Sequence, residues 1–232
     1  MVERDTREQA GREPASEDAG PAARGKPGRR ERNKEDKLRR IKEAARELFV
    51  SKGFDDTTIR QIATQAEVGL GTVFIYAANK RDLLFLIANE GLDEVAGAAA
   101  AAVDSNAALI DNLLAVFRPH YAFFERQPEL SRLVLREMTF YDSGAQAGSF
   151  RKTREALIEL LGEVVRLAAE RGEITIDETT AFVGWTIFCI YQVELRRWLS
   201  DGTVDVESGL DRLRRALLLL IYGLGAAAPR GG

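Results

Sequence analysis

From Asp36 onward, apolar residues recur every three to four positions almost without interruption, and no stretch alternates convincingly with a period of two between turn signals. A chain patterned in this way buries its apolar surface by stacking helices, so the expected fold class is all-α. Leu38, Ile41, Ala45, Leu48 and Phe49 form the stripe of a first helix that ends near Gly53. Thr58-x-x-Gln61 is a capping-box pair and opens a short second helix through Ile59, Ile62, Ala63 and Ala66. A third helix, only two turns long, runs from Gly69 to Tyr76. Asn79-x-x-Asp82 starts a long fourth helix through Leu83, Leu84 and Ile87 toward Val103. Beyond Asp104 the period continues over 106–126, 128–141, 150–171 and 177–199, and a last helix runs from Val206 to about Leu224. Pro128 suits the first turn of its helix, whereas Pro119 falls inside one and is expected to kink it. Residues 173–177 read as the loop that follows Gly172.

Composition narrows the chemistry. The single cysteine, Cys189, excludes an intramolecular disulfide framework and suits a reducing cytoplasm. With one histidine, His120, the chain cannot build a three-histidine zinc site or a two-histidine iron triad, and it calls for no metal and no cofactor. The longest uncharged run, Thr179 to Val193, has 15 residues and contains three threonines and Gln192, too short and too polar to span a bilayer. A cytoplasmic protein without a membrane partner is therefore expected. Overall, 33 Lys and Arg stand against 36 Asp and Glu, a net charge of −3. That balance is uneven: residues 24–90 hold 15 basic against 10 acidic side chains, and residues 91–232 hold 15 against 20. An anionic partner should therefore be met near the N-terminus.

Residues 1–34 are rich in Pro, Gly and charge and almost devoid of large apolar side chains, the composition of a disordered basic tail. Such a tail either solubilises the chain or reaches along DNA as a flexible arm. The next unit, 35–95, holds the two short helices 58–65 and 69–76 separated by a tight turn, which is the arrangement a helix-turn-helix uses to enter a major groove. Gly69 and Gly71 remove bulk where backbone would approach a phosphate or a base edge. Thr72 and Tyr76 offer hydroxyls, and Lys80 a cation at the next helix start. A plain three-helix packing unit has the same periodicity, so spacing alone leaves both readings open. Gly69-x-Gly71 is not a dinucleotide fingerprint, because it follows a helix and Phe74 replaces the third glycine.

Three runs, Gly53-Phe-Asp-Asp-Thr-Thr-Ile-Arg-Gln-Ile-Ala63, Val68-Gly-Leu-Gly-Thr-Val-Phe-Ile-Tyr76 and Asn79-Lys-Arg-Asp-Leu-Leu84, resemble the N-terminal domain of the tetracycline-repressor (TetR) family. The resemblance implies a homodimeric transcriptional repressor that a small effector releases from a palindromic double-stranded DNA operator. By that resemblance Thr58 and Arg60 touch DNA at the start of the second helix. Thr72, Phe74 and Tyr76 face the groove and phosphates, and Lys80 grips a phosphate. The chain departs from the family pattern at Glu67, where a turn glycine is usual, at Gly69-Leu70, where a polar pair is usual, and at Phe74-Ile75-Tyr76-Ala77. Specificity then leans on Leu70 meeting a thymine methyl, or on DNA shape.

Residues 96–232 would form a helical effector-binding and dimerisation domain. Their aromatic and thioether side chains exceed what helix packing needs and point to an apolar cavity for a small apolar effector, with His120, Tyr121, Phe124, Met138, Tyr141, Trp185, Phe188 and Gln192 as its candidate residues. Cys189, in the apolar run Trp185 to Tyr191, is expected to be a buried, inert thiol. The last two helices, 177–199 and 206–224, carry apolar stripes too wide for one core, which suggests a four-helix interface with a second copy. A helical enzyme with an apolar pocket or a helical adaptor would share the periodicity. The sequence displays no converging acid, base or nucleophile, so no catalytic residue is expected.

Overall fold

The computed structural model describes residues 28–202 and 204–223, which form nine α-helices, one 3₁₀ turn and no strand. The first four are α1 (Arg29–Ser51), α2 (Ile59–Gln65), α3 (Leu70–Tyr76) and α4 (Lys80–Ala101). They are followed by α5 (Leu109–Glu125), α6 (Pro128–Glu137), the 3₁₀ turn Met138–Phe140, α7 (Ala147–Glu170), α8 (Thr180–Ser200) and α9 (Val206–Tyr222). The small unit α1–α3 packs on the start of α4, and α4 continues into the larger bundle of α5, α7, α8 and α9.

Local chemistry sets the helix ends. The Thr58 hydroxyl oxygen accepts from the Gln61 amide at 3.2 Å while the Gln61 side chain accepts from the Thr58 amide at 2.9 Å, a reciprocal box. At the other end of α2, Val68 N donates to Ala63 O and Glu67 N to Thr64 O, and Glu67 takes the left-handed conformation at φ 52°. This is a glycine-type helix stop made by a glutamate, at a cost of about 1 kcal/mol. Asn79 caps α4 by accepting from Asp82 N at 2.9 Å.

α1 differs from expectation. It begins at Arg29, inside the segment read as a tail, and residues 1–27 of that tail lie outside the described residues. Its first turns are polar all round. Such a helix is held by pairs along its own surface, here Glu31–Lys34, Asp36–Arg39, Asp36–Arg40 and Arg39–Glu43, after the last glycine of the tail at 28. α5 runs unbroken through Pro119. α7 and α8 approach so closely that a Cβ on Gly184 would lie 2.7 Å from Gly162 N and 2.9 Å from Ile158 O, which only glycine permits.

A buried carboxylate fastens the small unit to the bundle. Asp82 accepts from Ala78 N at 3.0 Å, from Ala145 N at 3.0 Å and from the Tyr141 hydroxyl. Burial alone would raise its pKa, but those hydrogen bonds, with one from the Gln146 amide, outweigh burial and hold it below the ordinary aspartate value. Gly144, at φ +131°, is needed there, because a Cβ would overlap the Asp82 carboxylate. Tyr141 in turn stacks on Phe85 at 3.9 Å between ring centroids.

The bundle core is aromatic where α5, α8 and α9 meet. Phe117, His120 and Tyr121 of α5 pack around Tyr191 of α8, and Tyr121 meets Trp198 edge-on at 4.8 Å. His120 is buried, with Nδ1 3.1 Å from Val116 O, so Nδ1 carries the hydrogen when the ring is neutral. Burial, only partly offset by that bond, lowers its pKa from 6.5 to about 4. Between those values the unfolded chain binds a proton that the folded chain refuses. Stability is therefore expected to fall as pH drops from 6.5 toward 4, by about 3 kcal/mol in all if the whole shift is realised. His120→Gln should flatten this limb of a denaturation-versus-pH series, leaving the losses below pH 3.8 that arise from Asp82.

Candidate functional site

Two regions concentrate the candidate residues: the outer face of α2 and α3, and a cavity inside the bundle. On the first, Val73 and Ala77 anchor α3 in the core, and the opposite side of the helix is open. Leu70, Phe74 and Ile75 are exposed by 36, 50 and 76%, an apolar surface that lone helix packing does not require. Gly69 and Gly71 have ordinary room around them: a Cβ on Gly69 would meet only Thr72 Oγ1, at 3.8 Å, and one on Gly71 would meet nothing within 4 Å. No contact among the described residues demands glycine at either position. Thr72 is half-buried, and its hydroxyl has no partner among the described residues.

The polar candidates divide into free and committed groups. The guanidinium of Arg60, exposed on the first turn of α2, has no hydrogen bond or ion pair among the described residues. Thr58 is exposed, but the capping box consumes its backbone amide, so that amide is not available to a phosphate. The Tyr76 hydroxyl makes a long contact, 3.5 Å, with Lys34 O and so faces α1. Lys80 donates to Phe54 O at 2.7 Å and Asp55 O at 2.9 Å and lies over the Phe54 ring at 4.9 Å. Two of its three hydrogens therefore hold the α1–α2 turn, and one remains. Arg136 of α6 reaches the same turn, with both terminal nitrogens 3.3 Å from the Asp55 carboxylate.

The second region is a narrow, partly open cavity of about 40 Å³ lined by α4 to α8. His120, Phe124, Met138, Phe188 and Gln192, all expected there, line it. Leu92, Val134, Phe150, Thr153, Arg154, Leu157 and Tyr191 complete the wall. A volume of this size admits a few waters, so a larger guest must displace flexible side chains such as Met138.

Three expected lining residues stand elsewhere. Tyr121 packs against Trp198 and Gly209 on the α9 side. Tyr141 is taken up by Asp82 and Phe85. Trp185 is exposed by 46% on the outer face of α8. Cys189 is likewise exposed, not buried. With Phe182 and Val193 these two form a stripe at spacings of three and four that turns away from the chain's own core, because α8 is apolar on both faces. Arg154 was missed, although its position between Phe150 and Leu157 places a charge in the apolar stripe of α7. No helix among the described residues is long and apolar enough to cross a membrane, and no cluster of three or more His, Cys, Asp or Glu among them suits a metal.

Residues 41–87 match the family described as bacterial regulatory proteins, tetR family. The transcriptional regulator HbdR of Aromatoleum sp. (strain CIB) is 41% identical over 59 residues, which span 25% of this chain and 26% of that protein. The TetR-family transcriptional repressor FadR of Thermus thermophilus, solved with lauroyl-CoA, shares the fold at a TM-score of 0.60 and 26% identity, over 84% of this chain and 99% of its own. FadR of Bacillus subtilis, solved with stearoyl-CoA, aligns at a TM-score of 0.64 and 19% identity, over 80% of this chain and 98% of its own. The helix-turn-helix of α2 and α3 lies inside the segment that matches the tetR-family model, and the helical architecture around it is similar to that of TetR-family regulators over most of the described chain.

Proposed function

We propose that the protein acts in the cytoplasm as a homodimeric repressor, released from a pseudo-palindromic double-stranded DNA operator when a small, largely apolar effector enters the α4–α8 cavity. The observation that carries this reading is α6. Its residue Val134 and the following Met138 line the cavity, while Arg136 between them holds Asp55 beside the DNA-reading unit and Glu137 accepts from Arg81 of α4 at 2.9 Å. A guest that displaces Met138 and Val134 therefore pulls on the turn that leads into α2. A preference of roughly 1–3 kcal/mol for the displaced arrangement lowers operator affinity about 5- to 150-fold. The apolar lining agrees with the acyl-CoA guests of the two FadR proteins. The experiment is operator binding, on sites selected from a random duplex library, with and without inducing compound.

At the DNA face, Gly71 and Arg60 separate the readings. Gly71→Ala should stabilise the isolated protein slightly, by up to about 1 kcal/mol, since alanine is the better helix former and meets nothing there. The same change should weaken operator binding, because the added methyl faces outward. A thermal melt and a mobility-shift titration read the two effects, and parallel changes would count against α3 as the groove helix. Arg60→Ala should weaken binding to all sequences alike and lower the slope of log affinity against log salt by roughly one, with no change in melting temperature. Lys80→Ala is the less clean probe, for its loss also frees the carbonyls of Phe54 and Asp55.

For the dimer, the exposed stripe Phe182, Trp185, Cys189 and Val193 on α8, with Leu219 and Tyr222 on α9, supplies a self-complementary apolar face. Sedimentation at micromolar concentration should show a dimer for the native chain and a monomer for Trp185→Glu. A native monomer under those conditions would remove the basis for a palindromic operator.

A further inference from the structure

Besides the Tyr191 phenol, four side chains of the α4–α8 cavity wall carry polar groups, and their hydrogens are unequally committed. Thr153 gives its hydroxyl hydrogen to Asp93 Oδ1 at 2.8 Å, leaving only lone pairs to offer. His120 spends its Nδ1 hydrogen on Val116 O, so at neutral pH it presents an acceptor. Gln192 is turned the other way. Its side-chain oxygen accepts from Arg196 at 3.0 Å, which leaves its amide hydrogens free as donors.

Arg154 is the outlier. It stands on α7 in line with Phe150 and Leu157, both of which are buried in the same wall. It makes no hydrogen bond or ion pair with any described residue, and its Nε is shut off from solvent without an acceptor. A buried donor without a partner destabilises the fold, and here that donor is the Nε of a half-buried arginine. Packing does not require it, since leucine or methionine would fill the stripe better. Its fork of donors matches the planar oxygens of a carboxylate, or those of a phosphate, as no neutral group does.

The geometry points to Arg154 as the anchor for an anionic head on the effector, so that the cavity takes an amphipathic acid whose apolar body lies among Phe124, Val134, Met138 and Phe188 and whose anionic oxygens meet Arg154, with Gln192 as a second donor from the facing helix. The inference rests on the cavity being the effector site. Free acids present a carboxylate, and acyl thioesters of coenzyme A present phosphates. His120 and Thr153, as acceptors, repel the anion and leave one end of the cavity for it.

The test uses the full-length protein and three matched probe series, straight-chain carboxylates of six to sixteen carbons, the corresponding primary alcohols, and the corresponding coenzyme A thioesters, with binding measured by calorimetry. An anionic series is expected to bind about tenfold or more tighter than alcohols of equal length. Which of the two does so identifies carboxylate or phosphate as the head. Arg154→Met should abolish that advantage and leave alcohol affinity within about twofold, a readout that also shows the variant is folded. Arg154→Lys, which keeps the charge but loses the fork, should retain part of it. Alcohols and acids binding alike to the native protein, or an acid advantage that survives Arg154→Met, would overturn the inference while sparing the cavity reading. If none of the three series binds, the cavity reading fails and takes the inference with it.

Discussion

The position of the helix-turn-helix relative to the bundle depends on one buried carboxylate. Asp82 sits in the first turn of α4, where the helix dipole and the open amides favour a negative charge, and it spends that charge on segments distant in sequence. Ala78 N belongs to the link between α3 and α4, while Ala145 N and the Tyr141 hydroxyl belong to the link before α7. Three strangers to one another are thus fixed by a single group that water does not reach. A charge so buried is tolerated only when its oxygens are filled, and here they are. Gly144 pays nothing sterically for the close approach that makes this possible.

Around that fixed point, Gln146 Nε2 adds a part-buried hydrogen bond to Tyr76 O at 3.3 Å, while the ion pairs between head and body behave differently. Lys42–Glu90, Arg81–Glu137 and Arg136–Asp55 are partly or largely solvated, so each is worth little by itself and breaks readily. The combination is a hinge in the physical sense: a strong buried pivot at the α4 start, and weak contacts on the α6 side that a change in the cavity wall can release. The proposed effector response needs both properties, because a head held firmly everywhere would not answer a displacement of Met138 or Val134.

Periodicity made the helices legible, and capping chemistry located the starts of α2 and α4 to the residue, because those signals are local. What it left hidden depends on partners distant in sequence. Tyr121, Tyr141 and Trp185 looked alike as aromatic residues of apolar helices, yet one packs on α9, one serves Asp82 and one faces outward. Cys189 misled for the same reason: α8 is apolar on both faces, and a sequence pattern does not say which face its own chain covers. The start of α1 was hidden by its polarity, since charge pairs along the helix replace the apolar stripe that announces other helices. Arg154 stood in plain view as a charge in an apolar stripe, but only the cavity wall shows that no described residue answers its Nε.

Among the outward apolar surfaces, those on α3 and on α8 with its neighbour α9 differ in the charge around them. α3 lies within residues 24–90, which carry 15 basic against 10 acidic side chains, beside an arginine with no partner among the described residues and two glycines that no described contact requires. An apolar surface in that setting can press on base edges, thymine methyls among them, while nearby cations meet phosphates. The α8 stripe belongs to residues 91–232, where 20 acidic side chains outnumber 15 basic ones. DNA would be repelled there, whereas an identical uncharged stripe on a second copy would not. The same property, exposed apolar side chains, therefore suits two different partners, and the difference in surrounding charge is the physical ground on which the proposal puts nucleic acid at α3 and a second copy of the chain at α8.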